Sequence, residues 1–419
     1  MTSTVVLIGS LDTKGNEYQY VKSRLQEFGV DVIMIDFGVL CDPPFKPEIP
    51  ASEVALAGGV NLNDLRFARE GSDTRANALA TMQNGVIAIL HKLLEEGRCD
   101  AVFGMGGSGG SSVISGAMRS LPIGVPKLLL STMASGNVSG YVGTSDLCMM
   151  YSITDIAGLN RVSRKIISNA AAAVAGMAKV TTLKKEPEEK PLVAVTMFGV
   201  TTPGVLRIVE RLEGAGFEVI VFHATGAGGR AMEGMVKDGL INGVIDYTTS
   251  ELVDELLGGV FSAGPNRLEA AGLKGIPQVV VPGALEVLNF GARNTVPEKY
   301  EKPERLCIVH NPNVCAVRTN KQESIELGKI FANKVNLAKG PTAVMLPLKG
   351  LDKYEQPPDG PWINPENDGA LFATIKSTLR KDIPVAELDA NINDHSFADA
   401  TFDTFMQLWK SFTGKKEAK

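Results

Sequence analysis

Short apolar runs alternate along this chain with longer stretches in which apolar side chains recur every three or four positions. The first kind of pattern predicts buried strands and the second predicts amphipathic helices. Thr4–Gly9 is such a run, and a helical pattern follows from Glu17 to Phe28. Gly29 stops that helix, and Val30–Asp36 is the next strand. This is a βαβ opening. After the proline-marked loop Pro43–Pro50, a helix capped by Asp73 or Thr74 presents Leu79, Met82, Val86, Ile87, Leu90 and Leu94. Strands are predicted at Asp100–Phe103, Lys127–Leu130 and Asp146–Tyr151, and a helix from about Asn160 to Met177. The charged, proline-containing stretch 181–190 lacks apolar periodicity and reads as a linker.

The second half starts in the same way. Leu192–Thr196 is a strand, Val205–Glu213 a helix, Gly216 its stop and Phe217–Phe222 the next strand. Gly29-Val30-Asp31-Val32-Ile33 and Gly216-Phe217-Glu218-Val219-Ile220 share one polarity pattern. Further strands are predicted at Gly243–Asp246, Gln278–Val281, Arg305–His310, Ala343–Leu346 and Ile383–Glu387, with a last helix at Phe402–Phe412. The expected architecture is α/β, with two Rossmann-like, doubly wound domains (residues 1–180 and 191–419) built on mostly parallel sheets.

Ligands of open α/β sheets bind beyond the carboxyl ends of strands. The segment Gly104-Met105-Gly106-Gly107-Ser108-Gly109-Gly110-Ser111-Ser112 lies between a predicted strand and a predicted helix. Glycines let backbone N–H groups approach a ligand, and a helix N-terminus favours an anion. Gly110 stands where a P-loop needs lysine. Gly104, Gly106 and Gly109 fit G-x-G-x-x-G, but no acidic residue follows about 20 positions later to hold a ribose. A phosphate is therefore expected here and a nicotinamide cofactor is not. Ser131–Asn137, with Ser131 and Gly136, offers further polar contacts. Asp12 or Asp146 can hold Mg2+ through water, and Lys14 can neutralise phosphate charge.

A second glycine loop runs from His223 to Glu233. Thr225, Gly226, Gly228 and Gly229 form a second expected anion site, flanked by His223 and Arg230 as candidate catalytic groups. Asn289, His310-Asn311-Pro312-Asn313 and Arg318 follow other strands and are candidates for the same cleft. Nothing near Cys315 activates it as a nucleophile.

Composition narrows the class. The 419 residues are 44% hydrophobic with net charge −5 and no basic run, which argues against nucleic acid as a partner. Five scattered cysteines without C-x-x-C fit a reducing, cytoplasmic setting. The N-terminus does not read as a secretory signal, and no stretch reads as a membrane span.

Taken with Gly9-Ser10-Leu11-Asp12-Thr13-Lys14-Gly15, the two glycine loops give the chain a specific resemblance. It resembles a largely uncharacterised bacterial and fungal family related to the N-terminal, ATP-binding region of a plant inhibitor of tomato mosaic virus replication. The resemblance covers essentially the whole chain. It implies two Rossmann-like domains, self-association into a homo-oligomer, and ATP contact by Gly106, Gly107, Ser108, Gly109 and Gly110, with Asp12 and Lys14 beside them. Ser111, Ser131 and Gly136 complete the expected nucleotide set. The leading expectation is an ATP-binding enzyme acting on a small anionic metabolite between its domains, by phosphoryl transfer or ATP-assisted ligation. A nucleotide sensor without catalysis and a phosphometabolite enzyme without ATP are the rival readings.

Overall fold

The computed structural model describes residues 2–66, 72–180, 190–301 and 305–417, the side chains of 72–74 and 415–417 excepted. The linker prediction therefore falls almost wholly outside the described residues, as do the capping side chains of Asp73 and Thr74. The chain divides into two compact units, Met1–Pro187 and Glu188–Lys419.

The first unit is built on strands β1 (Thr4–Gly9), β2 (Asp31–Asp36), β3 (Ala101–Gly106), β4 (Lys127–Ser131) and β5 (Cys148–Tyr151). All pair in parallel, in the order β2-β1-β3-β4-β5. Both faces of this sheet are covered, so its strands read as continuous apolar runs. Val5 and Leu7 pack on one side with the helices Leu11–Glu27 and Arg161–Val180, whereas Val6 and Ile8 pack on the other with Ser72–Glu95 and Ser108–Arg119.

The second unit repeats the plan. Its strands are β6 (Leu192–Met197), β7 (Glu218–His223), β8 (Gly243–Thr248), β9 (Gln278–Gly283), β10 (Val287–Phe290), β11 (Cys307–Asn311), β12 (Val314–Arg318), β13 (Thr342–Pro347) and β14 (Val385–Leu388). Six of them form a parallel sheet in the order β14-β13-β9-β8-β6-β7.

Three features depart from the sequence-based expectation. The helix after β1 begins at Leu11, not Glu17, with non-helical torsions only at Lys14. The supposed loop Ser10–Gly15 is thus mostly a first helical turn. The final helix begins at His395, ahead of Phe402. The expected strand at Arg305–His310 belongs to neither parallel sheet: β10, β12 and β11 form a separate antiparallel sheet. Asn311-Pro312-Asn313 separates two apolar runs there, and such a segment marks a turn. Across that hairpin the Cys307 and Cys315 sulfurs lie 2.6 Å apart. Burial pushes the Cys315 thiol up to about 12, so it is not an activated nucleophile.

Candidate functional site

In the first unit β1 is flanked by β2 on one side and β3 on the other, so successive connections leave in opposite directions. That is a topological switch point, where helices on opposite faces leave a crevice beyond the strand ends. Tyr18 braces this point. Its hydroxyl lies 2.5 Å from Ile8 O and accepts from Met105 N–H at 2.7 Å, which ties β1 to β3. A Cβ on Gly9 would lie 2.3 Å from the Tyr18 ring, so glycine there is a requirement of packing.

A cleft of about 770 Å3 opens at the crevice, within the roughly 300–1,000 Å3 of small-molecule sites. Its floor is Met105 to Gly110. Gly107 is the extended N-cap of the helix Ser108–Arg119, and the amides of Ser108, Gly109 and Gly110 have no acceptor among the described residues. A helix always leaves its first amides unpaired unless a cap or ligand takes them. The glycines divide into two kinds. A Cβ on Gly104 would lie 2.5 Å from Ile114, and one on Gly106 would lie 3.2 Å from Gly110, so these two serve close packing. A Cβ on Gly110 would meet nothing within 4 Å, and one on Gly109 would come no nearer than 3.9 Å to Arg75 Nη2. The protein itself does not require glycine at either of these positions.

Asp12 lines the cleft, and its carboxylate is already engaged. Oδ1 accepts from Ser10 Oγ at 2.7 Å and Oδ2 from Leu40 N–H at 2.9 Å, so Asp12 fastens the turn after β1 to the loop after β2. Lys14 also lines the cleft but donates to Ile156 O. Asp36, at the end of β2, accepts from Leu11 N–H at 3.0 Å and Gly38 N–H at 2.8 Å. Its Oδ2 has no partner among the described residues, and burial pushes its carboxyl up to about 6.

Three residues expected to touch nucleotide lie elsewhere. Ser111 and Ser131 are fully buried, with their hydroxyl oxygens 2.6 Å apart, and they join the ends of β3 and β4 instead of lining the cleft. Gly136 sits in an exposed turn whose N–H donates to Met133 O. Asp146 is removed as a metal candidate by its ion pair with buried Lys127 at 2.6 Å, which with the Gly124 amide holds its carboxyl below the ordinary range against the upward pull of burial. Sequence reasoning missed Arg75 and the Phe37–Leu40 loop, which complete the cleft wall. The strand-end rule pointed to that loop once β2 was recognised as the neighbour of β1.

The second glycine loop is built differently. Its helix, Ala227–Asp238, also opens on glycine, but the Gly226 and Gly229 amides donate to Glu251 Oε1 at 2.6 and 3.1 Å. The expected anion cradle is thus filled by the chain's own carboxylate. A Cβ on Gly228 would lie 2.0 Å from His223 O, and one on Gly229 would lie 2.1 Å from Glu251 Oε2. Glu251 in turn pairs with Arg267 at 2.6 Å, and the same guanidinium holds Asp246 and Glu233. All four groups are buried. Arg230 donates to Ser262 O at 2.7 Å and is not among the residues that line a pocket with His223. His223 and Thr225 instead face a small pocket with Asn289 and His310. Arg318 is not among its walls, being buried against Glu355 and Asp368.

Among the described residues no helix is long and apolar enough to cross a membrane, and no group of three or more His, Cys, Asp or Glu is placed to hold a metal ion. Two models of an uncharacterised protein family, UPF0261, match the chain, the N-terminal domain over residues 3–183 and the C-terminal domain over 190–409. A UPF0261 protein of Clostridium tetani is 46% identical over 404 residues, covering 96% of this chain and 97% of that one. ToMV resistance protein Tm-1 of Solanum lycopersicum is 37% identical over 428 aligned positions, which cover 96% of this chain and 55% of the tomato protein. Among solved structures, MurG of Acinetobacter baumannii aligns with 97% of this chain and 99% of its own at 10% identity, with a TM-score of 0.23.

Proposed function

The chain belongs to the UPF0261 family, and from that premise we propose that its first unit binds ATP in the cleft between the ends of β1 and β3. One observation carries the proposal: three helix-opening amides face a cleft without an acceptor among the described residues, beside Gly109 and Gly110, at which a Cβ would meet no described atom nearer than 3.9 Å outside its own helix backbone. Phosphate oxygens would accept from Ser108, Gly109 and Gly110, where the partial positive charge of the helix end also lies. Arg75 adds a full charge on the same side. Val39, Leu40, Leu79 and Met82 offer the apolar wall a base needs. Mg2+, if carried by the phosphates, would reach Asp12 through water, since a carboxylate with two accepted hydrogen bonds keeps lone pairs free.

The resemblance to the ATP-binding region of the plant inhibitor supports ATP over other phosphates, and it also supports self-association. The five free thiols fit a cytoplasmic protein. We further propose that the protein is an enzyme that uses ATP on a small anionic substrate. The test is calorimetric titration of ATP into the wild type and Gly109→Leu, followed by a turnover screen with ATP, Mg2+ and a metabolite pool. A leucine at position 109 would fill the cradle from a position where the protein leaves room, and it should weaken ATP at least about tenfold, or 1.4 kcal/mol. Equal affinity for both proteins would refute the site. Binding without turnover would leave the sensor reading standing and reject the enzyme.

A further inference from the structure

The second unit has a switch point of its own, between β6 and β8, because β6 is flanked by β7 and β8. A pocket of about 180 Å3 opens nearby, at the carboxyl ends of β6 and β7. Phe198 comes from the end of β6, His223 from the end of β7, Asn289 from β10, and His310 from the antiparallel sheet. Phe261 and Tyr354 close the wall. The antiparallel sheet thus shares this pocket with the carboxyl ends of the parallel strands, where ligands of open α/β sheets bind.

The wall has an ordered polarity. Phe198 meets both His223 and Phe261 edge to face, with ring centroids 5.6 and 6.1 Å apart, which makes a firm apolar side. His310 Nδ1 lies 3.2 Å from the Tyr354 hydroxyl. Both imidazoles are solvent-exposed and can donate to an anion. Asn289 is 1% exposed. Its Nδ2 donates to Asp254 Oδ2 at 2.9 Å, but its Oδ1 has no partner among the described residues. A buried acceptor left unpaired is costly, and one that lines a pocket is satisfied by whatever enters.

We propose that this pocket binds a small organic acid carrying at least one hydroxyl or ammonium donor. The acid group would lie between His223 and His310, and the donor would satisfy Asn289 Oδ1. The volume is below that of drug-sized sites, so the ligand is a small metabolite, not a nucleotide. This inference is independent of the ATP reading, since every residue it uses lies in the second unit.

The test is a thermal-shift and NMR titration of the full chain, without nucleotide, against glycerate, serine, glycerol 3-phosphate and propionate. Glycerate or serine should raise the unfolding temperature and saturate, because a ligand of the native state alone stabilises it. Propionate, which has no donor, should bind at least about tenfold more weakly. A response to glycerol 3-phosphate alone would overturn the carboxylate assignment. The double variant His223→Ala/His310→Ala alters exposed side chains, keeps the fold, and should weaken binding at least about tenfold. An unchanged response in that variant, or no saturable response to any probe up to about ten times a millimolar Kd, would overturn the proposal. ATP affinity, measured separately, is expected to be the same in both proteins.

Discussion

The two glycine loops look alike as sequence, and the structure gives them opposite jobs. At Gly107–Gly110 the helix-opening amides face a cleft, and a Cβ on Gly109 or Gly110 would come no nearer than 3.9 Å to any described atom outside its own helix backbone. At Gly226–Gly229 the equivalent amides clasp Glu251, and a Cβ would collide with backbone or carboxylate. The first loop is glycine-rich in a way that leaves room for a visitor. The second is glycine-rich because the protein has already placed an anion there. Glycine density alone does not distinguish the two. What surrounds the missing Cβ does.

The largest effect expected from this contrast concerns Arg267, which holds Glu251 and two other buried carboxylates. Arg267→Met would remove the cation that pairs with these buried carboxylates and should cost about 3–5 kcal/mol or more of second-unit stability, read by denaturant unfolding. Next comes Gly229→Ala, whose methyl group would press on Glu251. It should cost about 1–3 kcal/mol, as overpacking usually does. A neutral result for either would mean that the second loop is not closed around its own carboxylate.

The two units should also respond differently to pH. In the second unit burial pushes Asp254 and Asp352 up to about 7 and Glu355 up to about 8. In the first unit burial pushes Asp36 up to about 6. A native state that keeps protons which the unfolded chain has released loses stability as pH rises. The loss begins near the ordinary carboxylate range around pH 4 and ends above the folded pKa, at about 1.4 kcal/mol per pH unit for each extra proton held. Second-unit stability should therefore fall from pH 5 to pH 8, and Asp352→Asn should flatten the fall. A rise over that range would contradict the protonated carboxyls. The smallest effect has the opposite sign. Gly110→Ala should stabilise the ligand-free first unit by about 0.5–1 kcal/mol, because alanine is the better helix former and meets no obstacle. Destabilisation would show that the space at Gly110 is not free.

Much of this was legible in the sequence, for identifiable reasons. β1, β3 and β6 are buried on both sides, so their apolar runs stand out in any reading. The glycine loop after β3 and its helix were equally plain. The antiparallel sheet was hidden because its strands are short and β10 pairs not with the next strand in sequence but with β12, beyond β11. The role of Ser111 and Ser131 was misread because a hydroxyl beside a glycine loop looks the same whether it faces ligand or a second hydroxyl. Glu251 lies 22 residues beyond Gly229, and only folding shows that its carboxylate fills the second cradle.

The central claim is that the amides after β3 are free to take phosphate and those after β7 are not. It is tested most directly by following backbone amide chemical shifts as ATP and Mg2+ are added. Large, saturable shifts at Ser108, Gly109 and Gly110, with Gly226 and Gly229 unmoved, are the predicted result. Shifts at Gly226 and Gly229 with the first set silent would contradict it.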